Sequence, residues 1–210
     1  MRWWRRATPW GADLDGDWRS TRFTVIDVET TGLDLEHDEI VSIGAVDVRD
    51  ARLDVGTAWY QPVQPTCEIA TEALKVHSLT RDELAAAPRM PEVIAILGER
   101  LRGSVLVAHA AWIERAFLDR ALAPLGQRVP NGIIDTAGLA RQAGLWESRD
   151  REPNLELLAR QLDLPVFTPH HALGDAMTTA VVLLVLATRL GAMHETLRTR
   201  DLVEMSRSGR

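Results

Sequence analysis

The hydrophobic and polar positions of this chain fall into runs whose periods mark out its elements. Residues 23–28 form a short, almost wholly apolar run rich in β-branched side chains, the pattern of a strand buried on both faces. In residues 39–48, Ile40, Ser42, Gly44 and Val46 alternate with Val41, Ile43, Ala45 and Asp47, and 52–60 is a third extended run. Short connections join the three, with Asp50 in the second turn, so an antiparallel meander is expected. Residues 61–67 are Pro-rich and cannot pair inside a sheet. Thr80-Arg-Asp-Glu83 has the spacing of a capping box for a short helix, and Pro91 can open the next, which runs to about Arg102 and stops at Gly103.

Residues 104–108 read as a brief apolar strand. A helical pattern follows over 111–123 and ends at Pro124 and Gly126. Ile133-Ile134-Asp135 is a fifth strand, and Asp135-Thr136 can cap the helix that begins there. Strand, helix, strand implies a parallel pair joined by a right-handed crossover. Residues 146–153 are charged and read as a surface loop. After it come a short helix over 154–162, a long apolar one over 171–190 and a terminal amphipathic one over 195–206. The expected fold is therefore α/β: a mixed five-stranded sheet, three antiparallel strands plus two parallel, flanked by helices. Residues 22–192 form the expected domain, 1–21 an arm, and 193–210 a C-terminal helix and tail.

Composition changes this picture only in part. A chain of 210 residues, 46% hydrophobic and 26% charged, suits one globular domain. The single Cys67 cannot form an internal disulfide, which favours a reducing cytoplasm. A net charge of −6 and a pI near 5.5 argue against a broad basic surface for nucleic acid. They leave room for a small acidic site acting on phosphodiesters, since cations held by carboxylates are not counted in that tally. Lys75 is the one lysine among 24 basic residues, a bias attributed to genomic base composition. The start of the chain is basic but no apolar segment follows it. The longest apolar run, 180–187, is far short of the roughly 20 residues that span a bilayer, so no membrane association is expected. Trp3, Trp4, Trp10 and Trp18 crowd the first 21 residues. Tryptophans are costly to leave in water, so some should dock on the domain or on a second subunit. Stacking on single-stranded nucleic acid is the sharper alternative.

The candidate chemistry starts at the end of the first strand. Asp27 and Glu29, two apart in a strand, point to the same face. Two carboxylates held that close repel, and partial desolvation makes both ionised forms costly unless a cation lies between them. Hard divalent cations such as Mg²⁺ or Mn²⁺ prefer carboxylate oxygen, and the Thr30-Thr31-Gly32 turn lets backbone approach what they hold. Glu114 brings a further acid, about one turn into a helix that follows a buried strand. His170 precedes the long helix and Asp175 lies in its first turns, so the imidazole can lean over a metal that the carboxylate holds.

In this order the motifs resemble the DEDDh branch of the DnaQ-like 3′–5′ exonucleases, a family with a ribonuclease H-like fold. The resemblance covers about residues 22–190. Phe23-Thr-Val-Ile-Asp-Val-Glu-Thr-Thr-Gly-Leu33 matches the family's first motif, His170-x-Ala-Leu-x-Asp175-Ala its third, and Ile134-Asp-Thr-Ala-Gly-Leu-Ala-Arg141 its strand-to-helix segment. The second motif departs. Where the family has V-A-H-N-A-x-F-D, this chain has Val107-Ala-His-Ala-Ala-Trp-Ile-Glu114, with Ala110 for Asn and Glu for Asp.

The resemblance implies two divalent ions, Mg²⁺ or Mn²⁺, bound by Asp27, Glu29, Asp175 and Glu114, with His170 as general base. Catalysis would release nucleoside 5′-monophosphates from the 3′ ends of single-stranded DNA or RNA. Thr30, Thr31, Gly32 and Leu33 would line the pocket for the terminal nucleotide. His109, inside the second motif, is a further substrate-side candidate whose plainer reading is a core hydrogen bond, while His171 reads as a surface or supporting residue. Proofreading beside a polymerase, RNA trimming and degradation of short oligonucleotides all fit. The family includes dimers, and the Trp-rich arm offers surface for a homodimer. The rival expectation is a catalytically decayed nucleic-acid-binding or protein-interaction module of the same fold, with Glu114 as the discriminating residue.

Overall fold

The computed structural model describes residues 12–129, 132–148, 151–194 and 196–208. Three strands open the fold: β1 (Phe23–Thr30), β2 (Ile40–Arg49) and β3 (Arg52–Pro62). β1 pairs antiparallel with β2, and β2 with β3, as the alternation predicts. The β2–β3 turn is tight because Asp50 and Ala51 both take positive φ, at 50° and 53°, the left-handed pair that matches strand twist in a two-residue hairpin. β4 (Val105–Ala108) lies parallel to β1 on its other side, and β5 (Ile134–Asp135) parallel to β4, giving the order β3-β2-β1-β4-β5. The mixed five-stranded sheet is thus the expected one, and β1 sits at its centre.

Helices cover both faces. On one face α3 (Met90–Leu101) and α4 (Trp112–Leu122) bury Leu97, Leu101, Phe117, Leu118 and Leu122 against Ile26, Ile43 and Leu106. On the other, α5 (Thr136–Gln142), α6 (Leu155–Gln161), α7 (Ala172–Gly191) and α8 (Thr199–Ser208) enclose Phe23, Val25, Val46, Leu183 and Leu186. α7 is long and apolar enough to cross a membrane by length and composition, but its buried residues pack on the sheet in this core. Two short helices, α1 (Thr71–Val76) and α2 (Arg81–Ala86), lie between β3 and α3. α2 carries the capping box read from sequence, with Thr80 and Glu83 satisfying each other's backbone N–H groups.

Two boundaries differ from expectation. α1 has six residues, no side-chain cap at Ala70 and no clear period, so nothing local announces it. α8 starts at Thr199 instead of near 195. Its entry is fixed from elsewhere: Asp201 accepts from the Arg198 backbone N–H, and Arg198 bridges to Asp17.

Trp18 lies in the core with Leu197, Leu202 and Val203, and the Thr21 hydroxyl is 2.6 Å from that of Thr199. This part of the arm docks on the domain together with the C-terminal helix. Trp3, Trp4 and Trp10 fall outside the described residues.

Candidate active site

β1 carries Asp27 and Glu29 toward its C-terminal end, where the antiparallel register sets Asp27 opposite Gly44 of β2. Gly44 decides what lies above them. A β-carbon there would overlap the peptide between Ala172 and Leu173, so only glycine lets the first turn of α7 descend onto the sheet beside Asp27. That close approach delivers Asp175. One carboxylate oxygen from each of Asp27, Glu29 and Asp175 lies within 4.8 Å of the others. Ahead of α7, His170 takes a left-handed φ of 57°, and its backbone N–H donates to Asp175 Oδ2 at 3.0 Å, fixing that carboxylate.

Glu114 completes an acidic group. It lies in the first turn of α4, is 3% exposed, and its Oε2 has no hydrogen-bond partner among the described residues. Burial of such an oxygen is costly unless something outside the protein meets it. α4 is reached through Ala110 at a φ of 55°. Asparagine tolerates that left-handed turn better than alanine, which gives a physical meaning to the residue the second motif lacks.

The electrostatics are those of a cation site. Burial, then the charges of Glu114, Glu29 and Asp175, push the Asp27 carboxyl well above the usual range. Part of Asp27 reaches the surface, but protein crowds its carboxylate. Burial likewise raises Glu114 well above its ordinary value, aided by Asp135 and Glu29 and opposed by a backbone hydrogen bond. Asp175 is pushed up to about 6, by burial first and the Glu29 charge second, against the His170 hydrogen bond. An all-oxygen donor set that resists ionising together fits hard divalent cations such as Mg²⁺ or Mn²⁺.

The remaining sequence candidates divide. Leu33 is 73% exposed, the most exposed large apolar side chain among the described residues, just after the turn that follows β1. The hydroxyls of Thr30 and Thr31 are occupied inside the turn, donating to Gly32 O at 2.6 Å and Asp38 Oδ1 at 2.7 Å. A β-carbon on Gly32 would overlap the Asp38 carboxylate, so this glycine keeps the turn closed. The His170 ring is exposed, with Nε2 3.8 Å from Glu156 Oε1. His171 stacks on Tyr60 with ring centroids 4.3 Å apart. His109 is bonded to the scaffold: Nε2 donates to Pro153 O at 2.6 Å and Nδ1 meets the Thr136 hydroxyl at 2.9 Å. Burial depresses its pKa, in keeping with the neutral ring these partners call for.

Sequence reasoning missed one residue at the site. His77, just past α1, places Nδ1 2.5 Å from Glu29 Oε2, and Nε2 donates to Thr30 O at 3.1 Å. No spacing signals it, because the contact depends on the path of the connection after β3. The cavity of about 360 Å³ between α3 and α4 is lined by none of Asp27, Glu29, Glu114 and Asp175; Ile40, Val63, Ile94 and Phe117 are among its walls.

Comparison with known proteins agrees with this geometry. A family model described as exonuclease matches residues 24–183, a span that runs from β1 into α7 and includes all four acids. The chain belongs to the DnaQ-like exonuclease family. A PolC-type DNA polymerase III of Clostridium perfringens is 31% identical over 161 residues, which are 77% of this chain and 11% of the relative. The domain thus spans about a tenth of that relative's length. The DNA polymerase III subunit epsilon of Treponema pallidum is 33% identical over 157 residues, covering 73% of this chain and 71% of the relative. Among solved structures, exonuclease X in complex with 5′-overhanging duplex DNA matches with a TM-score of 0.67 and 27% identity. The match covers 88% of this chain and 99% of that one. The family's fold, a ribonuclease H-like sheet flanked by helices, is the one described above.

Proposed function

We propose that this protein is a divalent-cation-dependent 3′–5′ exonuclease that releases nucleoside 5′-monophosphates from single-stranded 3′ ends of DNA or RNA. The observation that carries this reading is the meeting of Asp27, Glu29 and Asp175 oxygens within 4.8 Å, beside the buried Glu114, on an exonuclease fold. Asp27, Glu29, Asp175 and Glu114 would hold two cations, Mg²⁺ or Mn²⁺. When bound, such ions supply charge neutralisation and activation of water for in-line phosphoryl displacement.

The other groups have separate tasks. Leu33, exposed at the end of the Thr30-Thr31-Gly32 turn, wedges against the terminal base and holds it apart from its neighbour. The closed turn presents backbone rather than side chain to the terminal nucleotide. His170 takes the proton of the attacking water at Nδ1, while Glu156, facing Nε2, stabilises the imidazolium that results. The departing 3′ oxygen is reprotonated from solvent, reached at the C-terminal end of β1. Association with a polymerase is the biological setting supported by the epsilon and PolC-type relatives, and exonuclease X with its duplex DNA supports a nucleic-acid end as the target.

The test uses single-stranded DNA and RNA oligonucleotides, labelled at either end, with Mg²⁺, Mn²⁺ or a chelator. We expect the 3′ label to leave first as mononucleotide, a ladder from the 5′-labelled strand, and no cleavage with chelator. His170→Ala should slow cleavage by roughly 10²–10⁴-fold, the usual scale for a lost general base. Mononucleotide leaving first from the 5′ end, or cleavage in chelator, would refute the assignment.

A further inference from the structure

We infer that His77 is a positioning residue for Glu29: it holds one oxygen of that carboxylate, so that the other faces the cation site. The inference rests on the exonuclease reading above and adds to it a residue from outside the motifs that define the site.

The ring is held at two points. Thr30 O can only accept, so Nε2 carries a hydrogen and donates it at 3.1 Å. That leaves Nδ1 against Glu29 Oε2 at 2.5 Å, the contact of an imidazole nitrogen with a carboxylate. Nδ1 makes no hydrogen bond in this arrangement, and a small turn of the ring or carboxylate at this distance would form one. Both side chains are largely enclosed, 14% and 10% exposed, so the pair is poorly screened by water. The two contacts act on consecutive residues of β1. One fixes the Glu29 side chain, the other the Thr30 backbone, at the point where the β1–β2 register shifts and the strand turns toward Gly32. Glu29 has no neighbour of this kind in the motifs themselves: Asp27 and Asp175 repel it, and Glu114 adds to that field.

Hydrogen-bond partners of metal-binding side chains fix their orientation, and losing one typically costs about 10–100-fold in metal affinity or activity. His77 has the position of such a partner. It reaches Glu29 from the end of α1, so the short helix that interrupts the β3–α2 connection also has a purpose: it carries the imidazole to the C-terminal end of β1.

The test is Mn²⁺ binding to the whole protein by calorimetry, with cleavage of a single-stranded oligonucleotide as second readout. Two conservative variants separate the two contacts. His77→Asn keeps a donor near the Nδ1 position, toward Glu29, and His77→Gln keeps one near Nε2, toward Thr30. We expect His77→Ala to weaken Mn²⁺ binding by roughly 10-fold or more, His77→Asn to restore most of it, and His77→Gln to restore little. Should His77→Ala fail to fold, the Asn and Gln variants still decide. Equal Mn²⁺ affinity in Asn and Gln variants, or wild-type affinity in the Ala variant, would overturn the inference and leave His77 as a tie between α1 and β1. Absence of Mn²⁺ binding by the wild-type protein would overturn both this inference and the reading it rests on, and is told apart from the first failure because it appears before any substitution is made.

Discussion

Replacing Gly44 with alanine tests the step that joins fold to site. The added methyl would occupy space now held by the Ala172–Leu173 peptide, which is backbone and cannot swing aside as a side chain would. Carbon atoms pack at about 3.5–4 Å, so the first turn of α7 must retreat from β2 by on the order of 1 Å. Overpacking of this kind costs about 1–3 kcal/mol. For a protein of this size each kcal/mol lowers Tm by about 2–4 °C, so the loss in Tm should be roughly 2–12 °C. The same retreat moves Asp175 away from Asp27 and Glu29. A displacement of about 1 Å in a catalytic group costs on the order of 10²-fold in rate. Gly98 provides the control, since it lies within α3 with nothing within 4 Å of where a β-carbon would sit. There the same substitution should stabilise the helix by about 0.5–1 kcal/mol and leave the site alone. Thermal denaturation by circular dichroism, paired with oligonucleotide cleavage, reads both effects. If Gly44→Ala kept wild-type Tm and turnover, the descent of α7 onto Gly44 would not be what places Asp175, and the account of the site would fail at its first step.

Asp175 titrates near 6 in the folded, cation-free protein, above its unfolded value, so the folded state binds the proton more tightly. Cation-free protein should therefore gain stability as pH falls from 7 toward 5, and added Mn²⁺ should erase that trend; a flat cation-free profile would contradict it. Asp175→Asn should abolish cleavage yet raise cation-free stability at pH 7 by about 1 kcal/mol after allowance for solvent screening; a lower Tm would argue against repulsion at the site. Burial works to raise the pKa of Asp47, but hydrogen bonds from Arg49, Arg22 and Thr24 outweigh it and hold the carboxyl below its ordinary value. Its contribution is present above the unfolded pKa and lost as pH falls through the folded one, so Asp47→Asn should cost about 2 kcal/mol at neutral pH. In urea melts that difference should shrink below about pH 4, and a constant difference would refute the assignment. Glu114→Gln should weaken Mn²⁺ affinity by about 10–100-fold, because a neutral amide cannot replace a charged ligand. Glu114→Asp, shorter by one methylene, should lower activity if the site is built around Glu. A gain in activity would mark the natural residue as a step toward decay.

Local pattern was enough to lay out the sheet and most of its helices. Alternation in β2, the apolar run of β1 and the Asp135 cap of α5 are short-range signals, and each formed where its residues said it would. The order of acids along the chain pointed to Asp27, Glu29 and Asp175 for the same reason: a strand aims residues two apart together, and a helix start fixes what lies in its first turn. What tertiary structure alone decided is how these pieces meet. Gly44 read only as one term of an alternation, yet its missing side chain is what admits α7, since the clash it avoids is with a residue well over a hundred positions away. Trp18 read as part of an arm, and its place in the core depends on α8 at the other end of the chain. Glu114 read as a further acid of the site through the family resemblance, but its burial comes from how α4 packs on the sheet. His77 had no signal at all, because a contact made by a short, weakly capped helix is set by where the chain is led and not by the residues that lead it there.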